Sequence, residues 1–378
     1  MGFVLCACAG YWEGIRTGPR ATGCLHSMLN PIHSHLFSKK FTRCVLAGLG
    51  LAGALTNTAH AWVTLDLPDL TAPEGGSGVV AYSNLPDGRL VYGNNQALYV
   101  QNNFGSAALT SFSTPPDMDP SFVTVLNSTT AVFGVGEFTN SAVYQFNPST
   151  PATPGYSSNS TLQNYAAAPA GASGVYVAGQ NDINGDNSIS YVTLSGTQQM
   201  VVDPAGEFSA GLAVDGGGNV YVGDNDNNSV YEFTAAQIQN AIRTSIALTL
   251  SNALLIHTFS DDVVGSLAVD AEGRIWAAGF GAPGLFYYNP GSGIGGVLDP
   301  EDNADDLGGA YTVGAFSANG SDYVSYLWQS DFSSGSSLVY GFDTVQNVPE
   351  PAQAAWLAAA AALGVAYWRK RRRNESLA

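Results

Sequence analysis

Leu212 to Phe233 reads LAVDGGGNVYVGDNDNNSVYEF, and Leu267 to Tyr288 reads LAVDAEGRIWAAGFGAPGLFYY. In both, L-A-V-D is followed after two residues by glycine and, one residue later, by a strand-like run. The glycine supplies the positive φ that a tight turn demands, and V-x-V alternation turns one face of the run inward. The unit is therefore an apolar strand, a polar turn, an alternating strand, a polar loop and a further alternating strand. Weaker copies run over Val79–Val100, Val123–Phe146, Ala167–Leu194 and Val313–Phe342. The six turns, near Asp87, Ser128, Ala172, Gly217, Glu272 and Asn319, lie 41, 44, 45, 55 and 47 residues apart. The long interval holds AAQIQNAIR, Ala235 to Arg243, which reads as one short surface helix inserted in an otherwise all-β chain. Periods of about 40 to 50 residues with several strands each predict a β-propeller of six blades. A β-sandwich is the competing architecture, since many short strands with regular turns also suit it.

The segment GNVYVGDNDNNSVYEF, Gly218 to Phe233, resembles an NHL-type propeller repeat: glycine, a strand, a loop bearing Asp and Asn, then a strand ending in an aromatic. Val220, Tyr221, Asp224, Asn227 or Asn228, and Phe233 meet that pattern, while Ser229 stands where the repeat usually has arginine. Two of the six units match well, so the resemblance implies a fold and no activity.

Both ends of the chain read as addressing segments. Lys39, Lys40 and Arg43 precede an apolar run from Cys44 to Leu55, and Ala59-His60-Ala61 forms an A-x-A cleavage signature that makes Trp62 the expected mature N-terminus. Residues 28–61, starting at Met28, form the signal peptide, and residues 1–27 read as an extended or over-extended start ahead of it. The propeller body is expected over 62–346. All four cysteines, Cys6, Cys8, Cys24 and Cys44, precede the cut, so the mature body has no disulfide and must rest on its core and its sheet ladders.

The body is strongly acidic. From Trp62 to Val348 there are 27 acidic residues against Arg89, Arg243 and Arg274 alone, whereas the other ten basic residues lie in the terminal segments. Such a charge repels phosphate backbones and anionic lipid, which excludes nucleic acid as a partner and leaves cations and neutral glycans open.

Residues 348–378 carry three parts in order. Val348-Pro349-Glu350-Pro351 is followed by an uncharged run, Ala352 to Trp368, and then by Arg369-Lys370-Arg371-Arg372-Arg373. As a helix the seventeen uncharged residues span roughly 25 Å, a minimal crossing of a ~30 Å hydrocarbon core. The basic cluster keeps the C-terminus cytoplasmic, so the body faces outward, as the signal peptide also requires. This pattern resembles the PEP-CTERM sorting signal of Gram-negative bacteria. The resemblance implies recognition by an exosortase, a membrane protease-transpeptidase, with the body released or attached at a surface rich in exopolysaccharide. A permanent single-pass anchor is the other reading of the same residues.

Catalytic chemistry is thin in the body. His257 is its only histidine, there is no lysine or cysteine, and no G-x-S-x-G elbow is present. His257 lies in LLIHTF, an apolar strand-like run, and reads as a packed imidazole rather than a general base. The expectation is therefore a non-enzymatic propeller that binds extracellular polysaccharide or a surface protein. One calcium candidate stands out: Asp182, Asn184, Asp186 and Ser188 place oxygen donors at relative positions 1, 3, 5 and 7, although Asn187 takes the usual glycine position and Thr193 the usual glutamate. Acidic residues Asp299, Glu301, Asp302, Asp305 and Asp306, and the Asp224–Asn228 loop, read as solvated loops. The alternative function is a metal-dependent lactonase, because the repeats also resemble gluconolactonase and SMP-30 propellers. In those the metal-binding Asn precedes a G-L-A-like strand, where this chain has Ala210 and Ser266.

Overall fold

In the computed structural model the described residues are 62–345, apart from 72–80, 95–96, 115–119, 136–141, 151–154, 160–161, 182–186, 205–210, 261–263, 280–283, 299–308 and 330–336. They form six separate sheets, one per repeat and antiparallel except for one short strand, and this settles the architecture as a six-bladed propeller. A sandwich would join these strands into two sheets.

The chain opens with β1 (Val63–Thr71). Blade I then holds β2 (Ala81–Asn84), β3 (Leu90–Asn94), β4 (Ala97–Gln101) and β5 (Leu109–Ser113). Blade II holds β6 (Pro120–Asn127), β7 (Thr130–Val135), β8 (Ala142–Phe146) and β9 (Gly155–Asn159). Blade III comprises β10 (Leu162–Pro169), β11 (Gly174–Asn181), β12 (Asn187–Thr193) and β13 (Gln198–Asp203). Blade IV is built from β14 (Leu212–Val214), β15 (Val220–Asp224) and β16 (Ser229–Phe233). Helix α1 (Ala235–Thr244) comes next, then β17 (Leu248–Thr249), a parallel fifth strand on blade III. The outermost strand of blade IV is β18 (Leu254–Thr258). Blade V is β19 (Ser266–Val269), β20 (Ile275–Ala278), β21 (Leu285–Asn289) and β22 (Ile294–Leu298). Blade VI is β23 (Gly309–Ala318), β24 (Ser321–Gln329) and β25 (Ser337–Thr344), completed by β1 from the start of the chain.

The predicted turns sit where the glycines place them. Gly218 and Gly273 have φ of 84° and 77°, and each donates its N–H to the carbonyl of the aspartate that opens its turn, Asp215 and Asp270. Those aspartates also gather backbone N–H groups on Oδ1: Gly217 and Asn219 on Asp215, Glu272 and Arg274 on Asp270. The L-A-V-D signature is thus a strand followed by a side-chain-braced turn. The alternating strands fill the layers between blades: Val91, Leu98 and Val100 of blade I pack with Val123, Ala131 and Phe133 of blade II in one core cluster.

Helix α1 matches its predicted range within one residue. Thr234 caps it through a reciprocal pair with Gln237, and it buries Ile238 and Ala241 against blade III, where Gln199 Nε2 donates to the carbonyls of Ala241 and Ile242 at 2.9 Å each.

A buried charge cluster joins blade V to blade VI. Arg274 and Asp270 have side chains 2% and 1% exposed and form an ion pair at 2.8 Å. Trp276 Nε1 donates to the same Asp270 Oδ2 at 2.7 Å, and Arg274 Nη2 donates to the Val345 carbonyl at 2.9 Å, one residue past β25. The equivalent positions in blade IV are Asp215, Asn219 and Tyr221, joined by the same pattern of bonds without the cation.

Candidate functional site

The inner strands of all six blades surround one axial cavity of about 90 Å3. Its wall is made by Ala81 and Tyr82, by Ser121 to Val123, by Tyr165 to Ala167, by Leu212, by Gly265 to Leu267, and by Thr312 and Val313. This is room for several waters, or for the hydroxyl-bearing end of a larger molecule. The wall is uncharged among the described residues, and hydroxyls supply its polarity.

Most of those hydroxyls are tied to the neighbouring blade. Ser266 Oγ lies 2.8 Å from Thr312 Oγ1 and accepts from the Val313 N–H at 3.1 Å, joining blades V and VI. Tyr82 OH donates to the Ser325 carbonyl at 3.2 Å across the seam between blades VI and I. There Asn84 Nδ2 also donates to Tyr340 OH at 2.9 Å. Burial pushes the Tyr82 and Tyr340 phenols well above the usual tyrosine range, so both stay neutral donors. Tyr165 is shifted the same way by desolvation. Ser121 Oγ is different: it is shielded from solvent and has no hydrogen-bond partner among the described residues.

The other expected site residues lie away from this cavity or outside the described chain. Trp62 is half-buried, packs into the blade V–VI core and meets Tyr326 edge-on at 5.0 Å. Ala59 and Ala61 of the cleavage signature, the whole 348–378 tail and its Val348–Pro351 and Arg369–Arg373 parts, and Asp182, Asn184 and Asp186 lie outside the described residues. Ser188 is described, but in a strand rather than a loop: it sits in β12 opposite Gly179, buried, with an Oγ that has no partner among the described residues. Among the described residues no three His, Cys, Asp or Glu side chains gather as a metal set, and no helix is long and apolar enough to cross a membrane. In the Asp224–Asn228 loop the carboxylate is used internally, Oδ1 accepting from the Asp226 N–H and Oδ2 from Asn227 Nδ2, so its turn is complete without an ion.

His257 is packed, as its sequence context suggested, but the run around it is not core. It lies on the outermost strand β18, where Leu254 and Leu255 are 63% and 52% exposed. Its ring stacks on Tyr288 of blade V at 4.1 Å and meets Phe259 edge-on at 4.7 Å. Desolvation lowers its pKa below the usual 6.5, so the folded state favours the neutral ring. Stability from this group is therefore full above pH 6.5 and is lost as pH falls through that value toward the lower folded pKa. Thermal melts at about pH 7.5 and about pH 5.5 should show a larger drop in Tm for the native chain than for His257→Phe, which keeps the stack and does not titrate. Equal drops would remove His257 from the acid response.

The cavity was not legible as a site in the sequence, because its residues come one or two at a time from six strands separated by up to 232 positions between Ala81 and Val313. Ser266 is the partial exception. It is the position at which the lactonase resemblance places a metal-binding Asn, and it does line the cavity, as a neutral hydroxyl already engaged by blade VI. Ala210, the corresponding position ahead of blade IV, lies outside the described residues.

No family model matches the sequence, and no curated protein is similar to it. Solved structures are similar in fold. A calcium-binding protein, regucalcin, from Agrobacterium tumefaciens is 12% identical, with a TM-score of 0.51 over 75% of this chain and 97% of its own. A putative gluconolactonase is 13% identical, with a TM-score of 0.52 over 76% and 93%. The major allergen Mala s 1 of Malassezia sympodialis is 11% identical, with a TM-score of 0.52 over 76% and 98%. At these identities the likeness is one of fold: the chain carries a propeller body of the architecture that regucalcin and gluconolactonase-like proteins also use.

Proposed function

We propose that this protein is an exported, surface-sorted, non-catalytic propeller that holds the end of a neutral glycan in its axial cavity, with the 348–378 tail processed by an exosortase. The observation that carries the binding reading is the cavity wall: uncharged among the described residues, and including the hydroxyl-bearing residues Tyr82, Tyr165, Ser266 and Thr312. Sugars are recognised by hydroxyl and amide hydrogen bonds and by apolar ring faces, and such a wall offers them without repelling or attracting charge. The acidity of the body favours a neutral over an anionic polymer. A surface protein is the other partner of this reading. Calcium belongs to it as a loop-ordering ion, with Asp182, Asn184, Asp186 and Ser188 as donors.

Gly265 tests the site, and Ser121 serves as its control. Ser121→Ala removes a buried hydroxyl that has no partner among the described residues, so stability should stay level or rise by up to about 1 kcal/mol. Gly265→Leu, which adds a side chain to the cavity wall where an added Cβ meets nothing nearer than 3.8 Å, should lower affinity for neutral oligosaccharides found on a glycan array at least tenfold, whereas Ser121→Ala leaves it unchanged. A blank array together with capture of a protein ligand replaces the glycan by a protein partner.

Metal-dependent lactonase chemistry is the second reading, supported by the names of similar folds. Against it stands the Ser266 hydroxyl, bonded to Thr312, at a position where that chemistry would want an amide ligand. A lactone panel with added calcium or zinc should show no turnover; hydrolysis above the buffer rate would put the enzyme reading first.

A further inference from the structure

Both ends of the described chain leave the propeller at the same end of blade VI. Strand β25 finishes at Thr344, and β1, antiparallel to it, begins at Val63 opposite Phe342. This end also holds the turns between the first and second strands of each blade, such as those at Asp87, Asp215 and Asp270. Each inner strand runs toward these turns from the far end. The cavity is lined by the beginnings or middles of the inner strands, from Ala81 at the start of β2 to Val313 halfway along β23, and so lies toward the far end.

The exit point is fastened. Val345 is 1% exposed, and its carbonyl accepts from Arg274, itself held by buried Asp270. From Val345 only residues 346–351 precede the uncharged run that begins at Ala352. Six residues reach at most about 20 Å when fully extended. The nine residues of β24 make blade VI about 30 Å long from one end to the other. A leash of that length, fixed at one end of the ring, is too short to pass around the blade and bring the opposite end to the same surface.

We infer that, while the tail holds the uncut chain in a bilayer, the end of the propeller bearing Trp62 and Val345 faces the lipid surface and the cavity end faces away from it. This rests on the reading of 348–378 as a membrane segment. The ligand site is thereby presented outward before any cut, and the sorting protease meets its motif between the body and the bilayer.

The mature body contains no cysteine, so single labels are specific once Cys6, Cys8, Cys24 and Cys44 are replaced by serine. The full chain is placed in phosphatidylcholine vesicles carrying a nitroxide on the lipid headgroup, with a fluorophore on Ser195→Cys, in the exposed turn between β12 and β13, or on Asp226→Cys, in the exposed turn between β15 and β16. Quenching should be at least threefold stronger at position 195. A 20-residue Gly/Ser insertion between Asn347 and Val348 should bring the two labels close to equality without loss of co-flotation. Equal or inverted quenching of the uninserted chain while it floats with the vesicles overturns the orientation and leaves the tail reading standing. Failure to float overturns the tail reading and the orientation with it.

Discussion

A chain that begins at Gly75 instead of Trp62 is expected to lose its cooperative thermal transition. The deletion removes β1, the fourth strand of blade VI, and leaves β25 as an open edge. Residues Val63 to Asp66 pair with Phe342 to Val339 on β25. Leu67, 3% exposed, packs with Leu90 and Tyr92 of blade I and with Tyr340 and Phe342 of blade VI, so β1 also fills the seam at which the ring closes. Losing Leu67, the half-buried Leu65 and Trp62 costs about 1.5–3 kcal/mol for each fully buried side chain, before any lost ladder bonds. A total of that size is comparable with the about 5–15 kcal/mol that holds a typical domain. Near-ultraviolet circular dichroism during heating is the measurement. A sharp transition within about 5 °C of the parent would show that the ring closes without β1.

The second large effect is expected at Arg274. Arg274→Met leaves Asp270 buried and without its cation, although Trp276 and two backbone N–H groups still face the carboxylate. Breaking one side of a buried pair costs about 3–5 kcal/mol. For a body of this size that lowers Tm by on the order of 10 °C. The double variant Asp270→Asn/Arg274→Met should lose clearly less than the single one, because the desolvated charge goes with its partner. Denaturant titration of all three proteins checks this; a single variant within about 1 kcal/mol of the parent would mean that the pair is not what fastens blade V to the end of β25. Arg274→Lys should fall between, since an ammonium cannot meet both Asp270 and the Val345 carbonyl with the geometry of a guanidinium.

The two effects concern contacts with different degrees of legibility. L-A-V-D-x-x-G announces a strand and a braced turn within a single short run, and the structure has both at Asp215 and Asp270. That Asp270 would also bury an arginine bonded to residue 345 is a contact across 71 positions, with no local trace beyond the presence of Arg274 and Trp276 on one strand face. The helix was legible for the same local reason as the turns: Thr234 and Gln237 form a cap that needs only one turn of context.

The fourth strands were the part that the repeat did not reveal. LTSFS at Leu109–Ser113, QQMVVD at Gln198–Asp203, LLIHT at Leu254–Thr258 and IGGVL at Ile294–Leu298 share no pattern, and the repeat unit as read ended at the third strand. Apart from Gln198–Asp203, which β17 covers and which buries Val201 and Val202, they are edge strands at the rim of the ring, where one side of the ladder meets water, so burial imposes less alternation on them. The exposed Leu254 and Leu255 show how far that freedom goes.

Local runs of residues were enough to define the six repeats, their turns, the inserted helix and the acidity of the propeller, because φ preferences, capping and alternation act between near neighbours. Closure of the ring set the rest: the first strand completes the last blade, both ends of the described chain leave on one side, and residues from six separated strands make one cavity that is uncharged among the described residues. The pairing of β1 with β25 across some 270 positions comes from the packing of whole blades against one another, which no short stretch of the chain encodes.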